Sequence, residues 1–161
     1  MKKRHTFSTS EIFTENHGLF SKIVADSYNL TDWLCVDYPK YFYWFYERFL
    51  PGIFSGKREL ISVYVDNCIA GTIFLKHDDN EQKICTLYVD KEFRGQGIAT
   101  VLLKAGFKWL ETTKPLISIA EYKVSMFKKI IETYDWELVQ TLEAGCYNNC
   151  SRELVYNGKI K

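Results

Sequence analysis

The stretch Leu87-Tyr88-Val89-Asp90-Lys91-Glu92-Phe93-Arg94-Gly95-Gln96-Gly97-Ile98-Ala99-Thr100 is where this chain is equipped for chemistry. An apolar, strand-like run passes through a short loop with two glycines into a segment of helical period. Such a junction makes an anion site. The first amide hydrogens of a helix lack partners inside it, the macrodipole is positive at that end, and glycines let a phosphate approach the backbone. Arg94 adds charge beside the loop. A Walker-type loop would need Lys and then Ser or Thr after its last glycine, and none follows Gly97. The dinucleotide fingerprint would need a third glycine where Thr100 stands.

The thiols and imidazoles offer less. Cys35, Cys68, Cys85, Cys146 and Cys150 are an odd set in a chain without a secretory signal, which argues against a disulfide framework. Cys146 and Cys150 are spaced C-x3-C, but His5, His17 and His77 are scattered and far from that pair, whereas a closed zinc site takes four ligands. Free thiols and no metal are expected.

The loop needs elements to hold it. Apolar residues at Leu19, Phe20, Ile23, Val24 and Tyr28 predict a helix over 16–31, and a second is expected over 39–50, opened by Pro39 and closed by Pro51-Gly52. Segments 60–65 and 69–75 read as strands of a hairpin turning at Asp66-Asn67-Cys68, and 83–90 as a third strand. The period then changes to helical from Ile98 to near Thr113. A strand over 116–120, a helix over 123–134 and strands over 136–142 and 152–156 complete a mixed α/β sheet. With 161 residues, 47% hydrophobic and 25% charged, one domain over 1–161 is expected. A net charge of +1 does not suit a protein that lives on phosphate backbones, so no nucleic acid is expected. No apolar stretch is long enough for a bilayer, so no membrane partner and a cytoplasmic location are expected.

The segment R-x-x-G-x-A, Arg94 to Ala99, preceded by Leu-Tyr-Val-Asp, resembles the core motif of the GNAT superfamily, the Gcn5-related N-acetyltransferases. The order of elements over about residues 10–157 agrees, with the specific part within 84–103. The resemblance implies a GNAT fold: α/β (α+β), a mixed, mostly antiparallel central sheet with splayed central strands, flanked by about four helices. It implies acetyl-CoA as cofactor, its pyrophosphate held by the amides of Gln96, Gly97, Ile98, Ala99 and Thr100, with Arg94 and Gly95 shaping the loop. It further implies that the backbone of Leu87 and Val89 pairs with the pantetheine arm, that Phe127 packs against it, and that the strand carrying Leu87 bulges and splays from 116–120. A backbone N–H near Val89 would stabilise the developing oxyanion.

Direct N-acetylation needs a neutral amine, and a lysine-type amine has an unperturbed pKa near ~10.4, so a base or a desolvating pocket must remove its proton. Here the sequence departs from the family. Ile131 stands where many members carry a tyrosine acid, and Lys83 where some carry a glutamate base. Glu121, at the mouth of the expected splay, and Tyr134 are the catalytic candidates, with Tyr122 and Tyr147 as further tyrosines able to approach the sulfur or the acceptor. The aromatic run Tyr41-Phe42-Tyr43-Trp44-Phe45-Tyr46 has three readings: buried core, wall of the acceptor pocket, or homodimer contact. As a pocket wall it would favour an apolar or cationic acceptor. The expected activity is acetyl transfer to a primary amine, borne by a small molecule or by a peptide or protein, through direct attack in a ternary complex. A non-catalytic acyl-CoA sensor of the same fold is the alternative.

Overall fold

The computed structural model describes residues 2–161; Met1, the first residue of the expected domain, lies outside them. Two strands not far apart in sequence build the centre. β2 (Arg58–Val65) and β3 (Cys68–His77) form an antiparallel hairpin whose turn residues Asp66 and Asn67 have φ of 48° and 67°. Both central positions are left-handed, the turn that matches strand twist, and Asn and Asp are residues that tolerate it. β4 (Gln82–Val89) pairs with β3, and β1 (Arg4–Ser8) pairs with β2, giving the order β1-β2-β3-β4. β1 is absent from the sequence reading because Arg-His-Thr-Phe-Ser is a short, mostly exposed edge strand with no apolar alternation to mark it.

A second antiparallel sheet runs β5-β7-β6, from β5 (Ile117–Ala120), β6 (Leu138–Leu142) and β7 (Glu153–Tyr156). Among the described residues its one ladder contact with the first sheet is at the start of β4. The Ile84 N–H donates to the Leu116 carbonyl at 3.0 Å and the Leu116 N–H to the Gln82 carbonyl at 2.8 Å, a single parallel bridge at Lys83 and Leu116. Beyond it the strands part, as expected, and β4 also bulges. Phe74 faces Thr86 and Leu75 faces Ile84, leaving Cys85 in excess.

Helices cover both faces. On one lie α5 (Ile98–Leu110) and α6 (Val124–Thr133), with Ile98, Leu102, Leu103 and Leu110 buried against Ile73, Leu75 and Ile84. On the other lie α1 (Thr9–Ile12) and α2 (His17–Thr31), the latter capped by the Asn16 side chain accepting from the Leu19 N–H at 3.0 Å. A buried hydroxyl chain, Ser27 to Ser62 at 2.8 Å and Ser62 to Thr72 at 2.9 Å, ties α2 to the sheet.

The aromatic run forms α3 (Tyr41–Trp44), continues as a π-helical turn at Phe45–Phe49, and runs on as α4 (Leu50–Phe54). The helix therefore does not close at Pro51-Gly52. Pro51 sits in the first turn of α4, where the altered π register spares it a clash with the preceding turn. Phe45 and Phe49 are fully buried, packing on Phe74 at centroid distances of 5.4 and 5.0 Å, while Phe42 and Tyr43 face solvent. No helix among the described residues is long and apolar enough to cross a membrane.

Phe49 carries much of the contact between this helix and the sheet. Phe49→Ala should destabilise the fold by about 3–5 kcal/mol, read as a lowered urea midpoint with unchanged m-value.

Candidate active site

The glycine loop is built by the end of β4. Asp90 accepts from the Glu92 N–H at 2.9 Å, turning the chain through a 3₁₀ segment at Lys91–Phe93. Gly97, at φ 79°, is the N-cap of α5, a left-handed position that suits glycine, and buried Ile98 anchors the first turn to the core. A Cβ at Gly97 would meet nothing within 4 Å, so the loop faces open space. The free amides of the first turn look into a cavity of about 300 Å³ lined by Val89, Arg94, Gly95, Gly97, Ile98, Ala99, Thr100 and Lys129. No acidic side chain stands in this turn, and Arg94 and Lys129 bring two positive charges to the cavity. The residues fit a pyrophosphate. Lys129 comes from α6, about thirty residues away in sequence, and no local signal marked it. Gln96 does not line the cavity; its carbonyl accepts from Arg4 Nη2 at 2.9 Å, which braces the loop from β1.

Arg94 also lines a second, larger cleft of about 750 Å³, so this side chain stands between the two openings. This cleft occupies the gap between β4 and β5, with Thr86, Leu87 and Tyr88 on one side and Ser118 and Ala120 on the other. Phe127 lines it from α6, and Tyr41 and Trp44 wall it from α3. The aromatic helix is thus both core and pocket wall. Trp33 lines the larger cleft, 5.1 Å from the Tyr88 ring, over which the Arg94 guanidinium lies at 5.7 Å.

Of the residues put forward for proton transfer, Tyr122 and Tyr147 line the cleft; Glu121 and Tyr134 line neither cavity. Glu121 is exposed and ion-paired with Arg152, whose Nε lies 2.8 Å from Oε2. That hydrogen bond holds its carboxyl below the ordinary value, the wrong direction for a base that must take a proton from an ammonium. Tyr134 caps α6 and packs edge-on against Phe107 at 4.8 Å in the hydrophobic layer.

Two buried carboxylates stand behind the cleft wall, each bonded to side chains that line it. Glu153 on β7 is fully buried; it accepts from the Tyr38 hydroxyl at 2.7 Å and from Asn148 Nδ2 at 3.3 Å. Burial pushes its carboxyl up despite those donors. Tyr38 lines the cleft, and burial together with the Glu153 charge pushes its phenol up. Asp37, 3% exposed, is bonded by Tyr122 and by Lys123 Nζ at 2.9 Å. Burial works against its carboxylate, but these donors outweigh it and hold the pKa below the usual range. Lys123 in turn lies 4.5 Å from the Trp33 ring centroid. Sequence reasoning passed over Glu153 because a carboxylate in a short terminal strand reads as a solvated edge.

A model of the acetyltransferase (GNAT) family matches residues 24–121. Among solved structures, a GNAT family acetyltransferase from Elizabethkingia anophelis with acetyl-CoA bound aligns at 17% identity over 96% of this chain and 95% of its own, with a TM-score of 0.59. A ribosomal-protein-alanine N-acetyltransferase from Escherichia coli aligns at 11% identity over 97% of this chain and 90% of its own, TM-score 0.59. A GNAT family acetyltransferase from Streptococcus pneumoniae aligns at 11% identity and TM-score 0.51, over 63% of this chain; this chain spans 65% of its length, less than two thirds. At these identities the likeness is one of fold. No curated protein matches by sequence.

The Asp37 cluster makes a pH-dependent contribution to stability. A carboxyl whose folded pKa lies below its unfolded value stabilises above the unfolded value, near ~3.9, and loses that contribution as pH falls through the folded one. Asp37→Asn should therefore lower stability at neutral pH by about 1–3 kcal/mol. The gap in urea midpoint between the two proteins should shrink as the pH is taken down through the acid range.

Proposed function

The chain belongs to the acetyltransferase (GNAT) family, and from that premise we propose that it transfers acetyl from acetyl-CoA to a primary amine by direct attack in a ternary complex. The observation that carries this reading is the placing of the two openings. The cavity at the start of α5 and the cleft between β4 and β5 adjoin at Arg94, which suits an elongated thioester with an anionic head. The coenzyme supplies the activated acetyl group. The chain's share is to bind, orient and move protons. The first-turn amides, Arg94 and Lys129 suit the pyrophosphate, and the edges of β4 at Leu87 and Val89 suit the amides of the pantetheine arm. A cytoplasmic setting and an acceptor that is a small molecule or a peptide belong to the same proposal.

For the proton, Tyr38 and Glu153 are better supported than Glu121 and Tyr134. Tyr38 lines the cleft and already donates to Glu153, so it can take a proton from an incoming amine while passing its own to the carboxylate. Glu153, pushed up by burial, is a stronger base than the Arg152-bound Glu121. Tyr122 and Tyr147 remain within reach of the departing thiolate.

Titration calorimetry with acetyl-CoA, followed by screening amines for release of free CoA, tests the reading. Binding of the intact coenzyme with release of CoA supports it. Binding without release from any amine would turn the reading toward an acyl-CoA sensor, and no binding would make the loop structural. Arg94→Ala should weaken acetyl-CoA more than it weakens pantetheine.

The relay makes its own prediction. Glu153→Gln and Tyr38→Phe should each lower kcat about 100-fold or more. The rate should rise with pH as Glu153 ionises, and that limb should vanish in Glu153→Gln while Glu121→Gln keeps it.

A further inference from the structure

Arg58, Lys76 and Lys83 stand directly opposite one another on β2, β3 and β4, in the registers Arg58↔Lys76 and Lys76↔Lys83. Cross-strand partners project to the same face, and all three line the large cleft. Like charges directly opposite on a sheet repel and cost stability. Only the middle one is compensated. Lys76 Nζ lies 2.7 Å from Glu81 and 3.2 Å from Asp78, whereas Arg58 and Lys83 have no carboxylate partner among the described residues.

The two outer cations are nonetheless held in place. Arg58 lies over the rings of Trp44 and Phe49 at 5.9 and 5.7 Å, and its one hydrogen bond runs from Nη1 to Cys85 Sγ at 3.6 Å. A thiol is a weak acceptor, so most of the guanidinium donors are unspent. The stem crosses Gly52, where a Cβ would come within 2.3 Å of Arg58 Cγ; the position requires glycine for the arginine to lie there at all. Lys83 sits under the Tyr147 ring at 5.7 Å. Burial works against its ammonium, yet Tyr147, Cys85 and Glu81 around it keep the pKa above the ordinary value.

We propose that Arg58 and Lys83 form an anion subsite for the acceptor. The amine acetylated here belongs to a molecule whose other end is a carboxylate or phosphate monoester, with an apolar body lying in the aromatic-walled cleft. This rests on the acetyl-transfer reading of the cleft. The guanidinium fork matches two oxygens of either anion. Lys83 lies two residues from the Cys85 bulge, roughly 7 Å along the strand. The subsite is therefore beside the gap between β4 and β5 and leaves it clear. An anion would pair directly with the two cations that Asp78 and Glu81 do not contact.

The test compares 3-phenylpropionate, phenyl phosphate and the neutral 3-phenyl-1-propanol, with binding followed by tryptophan fluorescence and acetyl-CoA affinity measured alongside by calorimetry. At low salt at least one anion should bind about ten-fold tighter than the alcohol, and which of the two leads identifies the acceptor's group. Arg58→Gln and Lys83→Met should each erase that preference while leaving acetyl-CoA affinity unchanged. Lys83→Met preserves the stem's bulk and folding, so the proposal does not hang on the arginine variant. Equal binding of anion and alcohol by the unaltered protein, or a preference that survives both substitutions, overturns the subsite. Binding of the anions without any binding of acetyl-CoA overturns the acetyl-transfer reading, and with it the assignment of the anion to an acceptor.

Discussion

The site depends on two strands that start to pair and then stop. β4 and β5 are joined by two hydrogen bonds at Lys83 and Leu116, and beyond them the backbone edges of both face a cleft. Unpaired backbone donors and acceptors inside a fold are costly unless something satisfies them. The parting is enforced from outside the gap. The Cys85 bulge bends β4 away from its former line, and β5 is drawn into its own sheet by β7. On the face beneath, α5 and α6 pack across both sheets, so one hydrophobic layer holds the halves together where the ladder does not. The result is an opening of fixed width with amide edges already arranged, a cheap arrangement for gripping a ligand that itself carries amides.

Charge is distributed along this opening with different degrees of compensation. At the start of α5, Arg94 and Lys129 line the smaller cavity without a carboxylate partner among the described residues, beside a positive helix terminus. In the middle, Lys123 is fully answered by Asp37 and by the faces of Trp33 and Tyr122, so it contributes structure rather than free charge. At the far end the row on β2, β3 and β4 is answered only at its centre. The distinction matters because a count of cations near a cleft overstates its field; the unanswered ones determine what is attracted. An aromatic wall alone suggests an apolar or cationic guest, and here Arg58 already lies over the rings of Trp44 and Phe49.

The local half of the site was legible in the sequence, the assembled half was not. The strand, two glycines and helix of 87–100 carry their geometry in adjacent residues, so the loop could be read directly. The hairpin turn at Asp66-Asn67 and the helix beginning after Asn16 are equally local. Lys129 and Arg58 line the openings from distant elements and Glu153 is joined to the cleft through Tyr38, and each looks ordinary in its own neighbourhood. Glu121 illustrates the opposite case: its position after the 116–120 strand suggested a base at the mouth of the gap. Its partner, Arg152, lies 31 residues on and lowers the pKa that the role would need raised.

The aromatic helix shows why a sequence pattern can support two readings that are both true. A regular α-helix spreads six consecutive aromatics around all sides and buries about half of them. The π-helical turn at Phe45–Phe49 adds a residue to one turn and changes the angular position of everything after it. Tyr41 and Trp44, before the shift, face the cleft; Phe45 and Phe49, within it, face the sheet; and Phe42 and Tyr43 are left in solvent. Arg58 needs that arrangement, because Trp44 and Phe49 must stack on the same side for the guanidinium to lie over both. It needs Gly52 one turn later for its stem to pass. The same irregularity that lets Pro51 sit inside a helix therefore also shapes the floor of the cleft, and a straight helix of the same composition would present a different wall.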